Sequence, residues 1–329
     1  MQNTRRVDPL VSIIIPTFNK AKLAIETFKS IARQSYTNWE CIIVDDGSVA
    51  EDYKVLYTFV KSDKRFSLHK RPINKKKGAN ACRNYGLSLS KGRYIQFFDS
   101  DDLMMETCIQ NRVATLQSGN YDFVIYCMAL IYGEKKVLDN DLYFVSNWEE
   151  ALKSFLEPKK LPWNLQRTLF KASLIKDTIL FNEDLTRFQD IEFNIKVLVH
   201  CRPKFKMVEK FDSYYRFVSS KNQRASHFNS DVFQSIPEFL KSITGLIDST
   251  EFNKYKKAFQ ERIYIYISLY TIKQISFSQL KNVLIASKRY LGVTFFQQLI
   301  LFFLFYGKKY LSKSKGKSLY FKTLKKWYT

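Results

Sequence analysis

The sequence predicts an α/β fold in which helices cover both faces of a parallel sheet. Four short runs in the first hundred residues are predicted to be strands, at 11–15, 39–44, 65–69 and 93–98. The first, second and fourth are rich in apolar residues, and the run at 65–69 is a weaker signal. Between the first two runs, apolar residues from Leu23 to Ala32 fall near helical spacing. Continuous apolar strands that alternate with helices are typical of a parallel sheet buried on both sides.

The pattern changes after the fourth predicted strand. The next five elements are predicted to be a strand, a helix, a strand, a helix and one long strand or strand pair, at 122–130, 148–156, 167–170, 190–200 and 205–217. Beyond about Arg224 the sequence becomes helical and rich in aromatic residues. Because 329 residues suggest about two domains, we predict a catalytic domain at 1–228 and a helical, basic region at 229–329.

The charge of the chain is strongly positive and unevenly distributed. The formal net charge is +22, and from Thr271 to the end there are twelve Lys or Arg residues and no Asp or Glu. The five cysteines form no CxxC pair, which favours reduced thiols. The first residues lack the apolar core of a signal peptide, so we expect a cytoplasmic protein.

A strongly apolar run at 290–306 precedes most of the C-terminal lysines. It is shorter than the ~20 residues of a transmembrane helix, and Gln297 and Gln298 interrupt it. An interfacial helix at the surface of an anionic membrane is therefore favoured over a core helix of the C-terminal domain. Both are favoured over nucleic acid, which we do not expect as a partner. Contact with lipid would place the protein at the inner face of the cell membrane.

Three carboxylates lie directly behind the fourth predicted strand. Asp99, Asp101 and Asp102 follow an apolar run, at the strand's carboxyl end, where open α/β sheets bind their ligands. Two Asp side chains one residue apart provide oxygen ligands for Mg²⁺ or Mn²⁺, which also bind substrate phosphates. The alternative is an acidic turn that caps a helix starting near Leu103.

Four sequence blocks occur together in a fixed order along the chain. They are VSIIIPTFN at 11–19, CIIVDDGS at 41–48, GANACRNYG at 78–86 and FFDSDD at 97–102. In order and spacing, residues 10–218 closely resemble glycosyltransferase family 2, whose members use nucleotide sugars and have the GT-A fold. The resemblance implies a Rossmann-like mixed sheet with flanking helices, to which the helical C-terminal region is added.

The resemblance also implies roles for individual residues. Asp101 would bind Mn²⁺ or Mg²⁺, which neutralises the charge of the departing nucleoside diphosphate. Asp99 would face the ribose or complete the metal shell through water. The donor-binding residues implied by the family are Pro16, Thr17 and Phe18 at the base, Asp46 as a hydrogen-bond acceptor for the base, Arg83 at the diphosphate with help from Asn74, and Asp99.

The GANACRNYG block has a physical use that does not depend on the resemblance. The small residues Gly78, Ala79 and Ala81 predict that a helix packs closely on the sheet. Arg83 can then reach a diphosphate with its forked donors, or it can be a cation on a solvated helix face.

An inverting transferase also needs a base that takes the proton of the acceptor hydroxyl. The block at 181–185, followed by Gln189 and Asp190, resembles the region that carries the family's catalytic aspartate. The resemblance therefore implies that Asp190 is the base, although Gln189 replaces the usual Glu. Glu192 and Glu183 are the next candidates. Asp190 could instead stabilise a helix N-terminus through the helix dipole.

Together these observations predict an inverting, metal-dependent glycosyltransferase of the hexosyltransferase type that acts in polysaccharide biosynthesis. The expected donor is a UDP-sugar, and the expected acceptor is a hydroxyl of a cell-surface glycan or a lipid-linked saccharide. Trp163 is either a platform for the acceptor sugar or a core residue. One alternative is a nucleotidyltransferase, although residues 16–20 lack its Gly-rich phosphate loop. The other is a basic nucleic-acid-binding protein, for which no recognition motif is present.

Overall fold

The computed structural model describes residues 8–133, 135–138, 143–157, 161–217, 224–270 and 275–310. The chain divides into two compact units. The first comprises residues 1–151, 161–183 and 196–219, and the second comprises 152–160, 184–195 and 220–329. The division at residue 228 stays a prediction of the sequence.

The described residues contain nine strands and eleven α-helices. The strands are β1 (Val11–Thr17), β2 (Trp39–Asp45), β3 (Phe66–Lys70), β4 (Tyr94–Phe97), β5 (Leu103–Met104), β6 (Phe123–Tyr132), β7 (Lys135–Val137), β8 (Thr168–Lys171) and β9 (Phe205–Arg216). The helices are α1 (Ala21–Ala32), α2 (Ala50–Val60), α3 (Ala79–Leu89), α4 (Cys108–Ser118), α5 (Trp148–Leu156), α6 (Ala172–Ile175), α7 (Gln189–Cys201), α8 (Arg224–Leu246), α9 (Ser249–Tyr270), α10 (Phe277–Leu291) and α11 (Phe295–Tyr310). A single 3₁₀ turn among these residues spans Leu165–Arg167.

The strands form one mixed sheet in the first unit. Their order is β3-β2-β1-β4-β8-β6-β9-β5, with β7 beside β6. The strands β3, β2, β1 and β4 are parallel to one another, whereas β8 runs antiparallel to both β4 and β6. The predicted segment 205–217 is one long strand that pairs with β6 through two register shifts. The α/β fold class with a mixed sheet and flanking helices is therefore confirmed.

Helix α3 packs closely on β1, and a glycine makes this contact possible. A Cβ atom on Gly86 would lie 2.5 Å from Cγ2 of Ile14, closer than side chains approach one another. Gly78 was predicted to contribute to this close packing, but it has open space around it and a φ of +140°. Gly78 is thus needed for its backbone conformation, and Gly86 is needed for the contact.

The chain after the acidic cluster forms a strand and not a helix. Leu103 and Met104 pair antiparallel with Tyr214 and Ser213 of β9, and the next helix begins only at Cys108. The alternative, in which an acidic turn caps a helix starting near Leu103, is therefore wrong. The pairing instead fixes the cluster to the end of the long strand β9.

The described part of the second unit is helical. Helix α10 begins with a capping box, in which Ser276 Oγ accepts the backbone N–H of Gln279 at 3.2 Å and Gln279 Oε1 accepts that of Ser276 at 2.9 Å. It ends at Gly292, whose φ of +62° is typical of a helix C-terminus. These local signals separate α10 from α11. The two helices contact each other, since the rings of Phe277 in α10 and Phe302 in α11 lie 6.4 Å apart.

Helix α11, which contains most of the apolar run at 290–306, has one buried and one exposed apolar face. Leu301 is fully buried in the second unit, whereas Phe295, Phe296 and Phe303 are 73%, 59% and 51% exposed. The core-helix alternative therefore describes one face of α11 only. No helix among the described residues is long and apolar enough to cross a membrane. The lysine-rich residues 311–329 lie outside the described part of the chain.

Candidate active site

Two loops meet at the carboxyl edge of the sheet, where the parallel strands β1, β2 and β4 end. Asn19 follows β1 and has a φ of +48°, a conformation that Asn adopts more readily than most residues. Its backbone N–H donates to Ser48 Oγ at 2.8 Å, and its side-chain oxygen accepts the N–H of Val49 at 2.9 Å. The loops after β1 and β2 therefore form one continuous wall.

Two aspartates at the end of β2 make different contacts. Asp45 Oδ2 accepts two backbone N–H groups of the following turn, at 3.1 and 3.0 Å. Asp46 Oδ1 accepts Nε of Arg71 at 2.5 Å and the N–H of Gly78 at 3.1 Å. Asp46, which the sequence assigned to the base, is thus ion-paired to an arginine that the sequence did not single out.

The residues assigned to the base pocket differ in exposure. Pro16 and Thr17 are buried, and Thr17 Oγ1 has no hydrogen-bond partner among the described residues. Phe18 is 39% exposed, with Lys77 Nζ 4.2 Å from the centre of its ring. Asn74 is exposed in the loop after β3. Phe18 is thus the accessible member of the three, and the Thr17 hydroxyl is a buried group whose hydrogen-bonding capacity is unused among the described residues.

The acidic cluster follows β4 at the same edge of the sheet. One oxygen each from Asp99, Asp101 and Asp102 lie within 4.8 Å of one another. Arg83 Nη2 is 2.8 Å from Asp99 Oδ1, and Lys20 Nζ is 2.6 Å from Asp101 Oδ2. Two of the three carboxylates are therefore paired with cations of the first unit.

Asp102 is the most buried of the three, at 1% exposure. Its Oδ1 accepts the backbone N–H of Arg216 at 2.8 Å, and its Oδ2 accepts Nε2 of Gln166 at 2.5 Å. Burial and, next, the negative charge of Asp99 raise the pKa of Asp102 to about 8. A cation bound among the three carboxylates would offset both causes.

The cluster offers a suitable set of ligands to a hard divalent cation. Mg²⁺ and Mn²⁺ prefer carboxylate oxygen, and they keep open positions for water or substrate phosphate. Asp99 and Asp101 are partly exposed, whereas Asp102 is buried. The residues present thus fit Mg²⁺ or Mn²⁺, with Asp101 and Asp99 facing the accessible side.

Arg83 extends from α3 toward the cluster and is only 7% exposed. Its Nη1 donates to Asn80 Oδ1 at 3.3 Å and its Nη2 to Asp99. Its Nε is buried and has no partner among the described residues. The alternative of a cation on a solvated helix face is therefore wrong. The remaining donor can serve an anionic oxygen.

Sequence reasoning missed three side chains of the site: Lys20, Arg71 and Gln166. Lys20 and Arg71 pair with two of the assigned carboxylates, and Gln166 Nε2 donates to Asp99 Oδ2 at 2.7 Å. These partners lie 81, 25 and 67 residues apart along the chain. Lys20 alone had a signal in the sequence, since it directly follows the block assigned to the base pocket.

Asp190 belongs to the second unit and lies in the first turn of α7, half-buried. Of the two other candidate bases, Glu192 is fully buried and accepts Ser242 Oγ at 2.6 Å. Glu183 belongs to the first unit and accepts Asn84 Nδ2 at 3.0 Å. Burial removes Glu192 from consideration, so Asp190 and Glu183 remain as candidate bases.

Trp163 is a core residue. It is 1% exposed, and its ring centre lies 5.9 Å from that of Phe123 and 5.4 Å from that of Phe205. The alternative of a platform for the acceptor sugar is therefore wrong.

Comparison with known sequences links this site to one family. Residues 12–181 match the family described as glycosyl transferase family 2. The chain is 30% identical over 212 residues to the putative colanic acid biosynthesis glycosyl transferase WcaA of Escherichia coli K12, which covers 61% of this chain and 71% of WcaA. It is 30% identical over 158 residues to the UDP-Glc:alpha-D-GlcNAc-diphosphoundecaprenol beta-1,3-glucosyltransferase WfgD of Escherichia coli, which covers 48% of this chain and 54% of WfgD.

Solved structures share the fold at low sequence identity. Residues 1–349 of Staphylococcus aureus TarS in complex with UDP-GlcNAc superpose with a TM-score of 0.63 at 16% identity, covering 97% of this chain and 91% of TarS. The mannosyltransferase PcManGT of Pyrobaculum calidifontis, in complex with GDP-Man and Mn²⁺, has a TM-score of 0.55 at 15% identity, covering 98% of this chain and 86% of its own. The fold is thus the one that the sequence resemblance implied.

Proposed function

Because the chain belongs to glycosyl transferase family 2, we propose that it is an inverting, metal-dependent enzyme that transfers a sugar from a nucleoside diphosphate to an acceptor hydroxyl. The observation that carries this proposal is the acidic cluster at the carboxyl edge. Three carboxylates within 4.8 Å of one another lie beside Arg83, whose Nε is buried and unpartnered among the described residues.

The cluster and Arg83 together suit a diphosphate whose negative charge grows as the glycosidic bond breaks. Mn²⁺ or Mg²⁺, held by Asp101 with Asp99 nearby, would neutralise that charge. Arg83 would add a second positive charge, with its Nε–H aimed at a phosphate oxygen. Asn74 is proposed to help from the exposed loop after β3.

The nucleoside is proposed to bind along the wall formed by the loops after β1 and β2. Thr17 offers a buried hydroxyl, Phe18 an exposed ring for stacking, and Asp46 a carboxylate acceptor at 7% exposure. Pro16 is proposed to shape the floor of this pocket. A UDP-sugar is the proposed donor, which the UDP-GlcNAc complex of the structurally similar TarS supports.

The acceptor is proposed to be a cell-surface glycan or a lipid-linked saccharide, in polysaccharide biosynthesis. This proposal is supported by the names of two relatives, WcaA for colanic acid biosynthesis and WfgD for transfer to a diphosphoundecaprenol-linked sugar. Asp190 is the proposed base that takes the proton of the acceptor hydroxyl.

A donor screen tests this function directly. The full-length protein is incubated with UDP-, GDP- and dTDP-sugars and with Mn²⁺ or Mg²⁺, and released nucleoside diphosphate is measured. We expect turnover of a UDP-sugar that requires the metal. A parallel incubation contains a nucleoside triphosphate and a sugar phosphate. Formation of a sugar nucleotide there would instead indicate a nucleotidyltransferase. No turnover of any donor, together with filter-binding of nucleic acid, would contradict the proposal.

The second unit is proposed to contact an anionic membrane surface from the cytoplasmic side. We call its contact region the α10–α11 face, made up of the exposed apolar residues Phe277, Phe295, Phe296, Leu299 and Phe303. The rings of Phe277 and Phe302 lie 6.4 Å apart, which joins the two helices into one patch.

Charge favours a lipid surface over a protein as the occupant of this patch. Lys281, Lys288 and Arg289 are exposed on α10, and no acidic residue occurs from Thr271 onward. An apolar face inserts at the headgroup boundary, and each nearby cation contributes about 1 kcal/mol toward anionic lipid.

Liposome sedimentation tests the membrane contact. Phe295, Phe296 and Phe303 are changed to Ser together, which leaves the buried side of α11 intact. We expect the wild-type protein to sediment with phosphatidylserine-containing vesicles, less so at high salt, and the variant to stay in solution. Val55→Ser with Tyr57→Ser, which removes exposed apolar side chains of α2, is the control that should sediment normally. Equal sedimentation of all three proteins would contradict the proposal.

A further inference from the structure

One buried amide connects two carboxylates of the acidic cluster. Gln166 is 5% exposed, and its Nε2 lies 2.7 Å from Asp99 Oδ2 and 2.5 Å from Asp102 Oδ2. An amide nitrogen carries two hydrogens, so it can give one to each carboxylate. The same side chain therefore spaces and orients both acids.

The backbone of Gln166 is itself held in place. Its carbonyl oxygen accepts Nη1 of Arg112 at 2.8 Å and Nε2 of Gln96 at 3.0 Å. Arg112 is fixed in turn by Asp212, and neither side chain of that pair is exposed. The side-chain amide of Gln166 thus extends to the cluster from a buried, hydrogen-bonded part of the core, and Gln166 is not a surface residue.

One oxygen of Asp99 and one of Asp102 lie within 4.8 Å of each other. When both carboxyl groups are ionised they repel each other, and the burial of Asp102 strengthens this repulsion. Asp99 has Arg83 as a cationic partner. The hydrogen bonds of Asp102 come from neutral donors, the N–H of Arg216 and the amide of Gln166. Gln166 is therefore the donor shared by the buried acid and the partly exposed one.

We propose that Gln166 is a positioning residue, which holds Asp99 and Asp102 at the separation that a divalent cation requires and thereby sets the metal affinity of the site. This inference depends on the metal site proposed above. Hydrogen bonds to metal-ligating carboxylates fix the orientation of the ligand, and loss of such a partner typically costs about 10- to 100-fold in metal affinity. In this role the Gln166 side chain contacts neither the nucleotide-sugar donor nor the acceptor substrate.

The test compares two buried glutamines. Gln166→Met keeps the length and burial of the side chain and removes both hydrogens. Gln34→Met is the matched control, because Gln34 is 4% exposed and its Nε2 also donates two bonds, to the carbonyl oxygens of Ser30 and Met105. Mn²⁺ binding to each full-length protein is measured by the EPR signal of free Mn²⁺, and thermal unfolding is measured in parallel.

We expect Gln166→Met to bind Mn²⁺ about 10- to 100-fold more weakly than wild type, and Gln34→Met to bind it as wild type does. In donor hydrolysis, the Mn²⁺ concentration for half-activation should rise by a similar factor, while kcat at saturating Mn²⁺ changes little. If Gln166 only stabilised the fold, Gln166→Met would lower the melting temperature without changing the Mn²⁺ concentration for half-activation. Wild-type Mn²⁺ affinity in Gln166→Met overturns the inference.

A second variant covers the case in which Gln166→Met does not fold. Gln166→Asn keeps an amide but is one methylene shorter, so it cannot reach both carboxylates, and weaker Mn²⁺ binding is again expected. Wild-type affinity in this variant also overturns the inference. If the wild-type protein itself binds no Mn²⁺, the proposed metal dependence fails together with the role of Gln166. Equal binding by wild type and variants rejects the role of Gln166 alone.

Discussion

Two arginine–aspartate pairs in the first unit use the same chemistry in opposite surroundings. Nε and Nη2 of Arg112 donate to the two carboxylate oxygens of Asp212, each at 2.7 Å, and neither side chain is exposed. Arg83 and Asp99 share one bond of 2.8 Å, and the side chain of Asp99 is 37% exposed. The first pair lies in the core and the second at the carboxyl edge.

The pairs also differ in how fully their donors are used. The third nitrogen of Arg112 donates to Gln96 and to a backbone carbonyl, so each nitrogen has a partner. Arg83 Nε is buried without one among the described residues, and a buried donor without an acceptor costs free energy. From this difference we infer that the Arg112–Asp212 pair, whose donors all have partners, stabilises the fold. The Arg83–Asp99 pair, which has a donor without a partner among the described residues, is instead available to a ligand.

The largest effect on sugar transfer is expected at Asp190, the proposed base. Asp190→Asn removes a proton acceptor at constant size, so transfer should fall about 10²–10⁴-fold. Calorimetric titration with UDP and thermal unfolding should both remain at wild-type values. If transfer is unchanged, Asp190 is not the base, and Glu183 becomes the candidate.

Substitution in the buried pair, Arg112 and Asp212, should lower the stability of the protein. Arg112→Met leaves Asp212 buried without its cationic partner, and breaking such a pair costs about 3–5 kcal/mol in the free energy of unfolding. Urea unfolding measures this loss. Adding Asp212→Leu should recover part of it, because an apolar pair does not leave a charge in the core. A loss below about 1 kcal/mol in the single variant would show that this pair does not hold the fold.

Substitution in the pair at the edge, Arg83 and Asp99, should lower the activity of the enzyme more than its stability. Arg83→Met removes donors to a charged group, each worth about 1.5–3 kcal/mol, so kcat/KM for the donor should fall about 10- to 100-fold. Its unfolding free energy should change less than that of Arg112→Met. Arg83→Lys should recover only part of the activity, because an ammonium group lacks the fork. A larger loss of stability than in Arg112→Met would break the comparison.

An ion pair at the surface provides the lower limit of the expected changes in unfolding free energy. Lys241 Nζ lies 3.3 Å from Glu238 on α8, and the lysine side chain is 63% exposed. Lys241→Ala should change the unfolding free energy by no more than about 0.5 kcal/mol, since solvent screens the pair. A cost as large as that of Arg112→Met would show that burial is not what separates these pairs.

The parallel part of the sheet was predictable because β1, β2 and β4 are rich in apolar residues, whereas β3 (FSLHK) gave a weaker signal. The runs at 11–15, 39–44, 65–69 and 93–98 correspond to β1, β2, β3 and β4 within two residues at each end. The strand β5 was not predicted, since its two residues form a strand only through pairing with β9. No local pattern in the sequence encodes such a pairing.

The site was predictable in its acids and not in their partners. Asp99, Asp101 and Asp102 are neighbours in sequence, and the structure brings them together as expected. Gln166 and Lys20 reach them across 64 to 81 residues. The fold alone creates these contacts. Of the two residues, only Lys20 had a signal in the sequence, because it directly follows the block assigned to the base pocket. The positions of Pro16, Thr17 and Phe18 followed from the end of β1, but the buried hydroxyl of Thr17 did not.

The most direct test of the account is metal-dependent donor hydrolysis by the wild type and by Asp101→Asn. The donor is the UDP-sugar identified by the screen, assayed with Mn²⁺ and with excess EDTA. Asp63→Asn, which alters an aspartate paired with Arg65 away from the cluster, is the control. Metal stabilisation of several kcal/mol predicts a fall of about 10²–10³-fold in EDTA and in Asp101→Asn, with Asp63→Asn unchanged. Full activity in EDTA, or in Asp101→Asn, would contradict the proposed metal site.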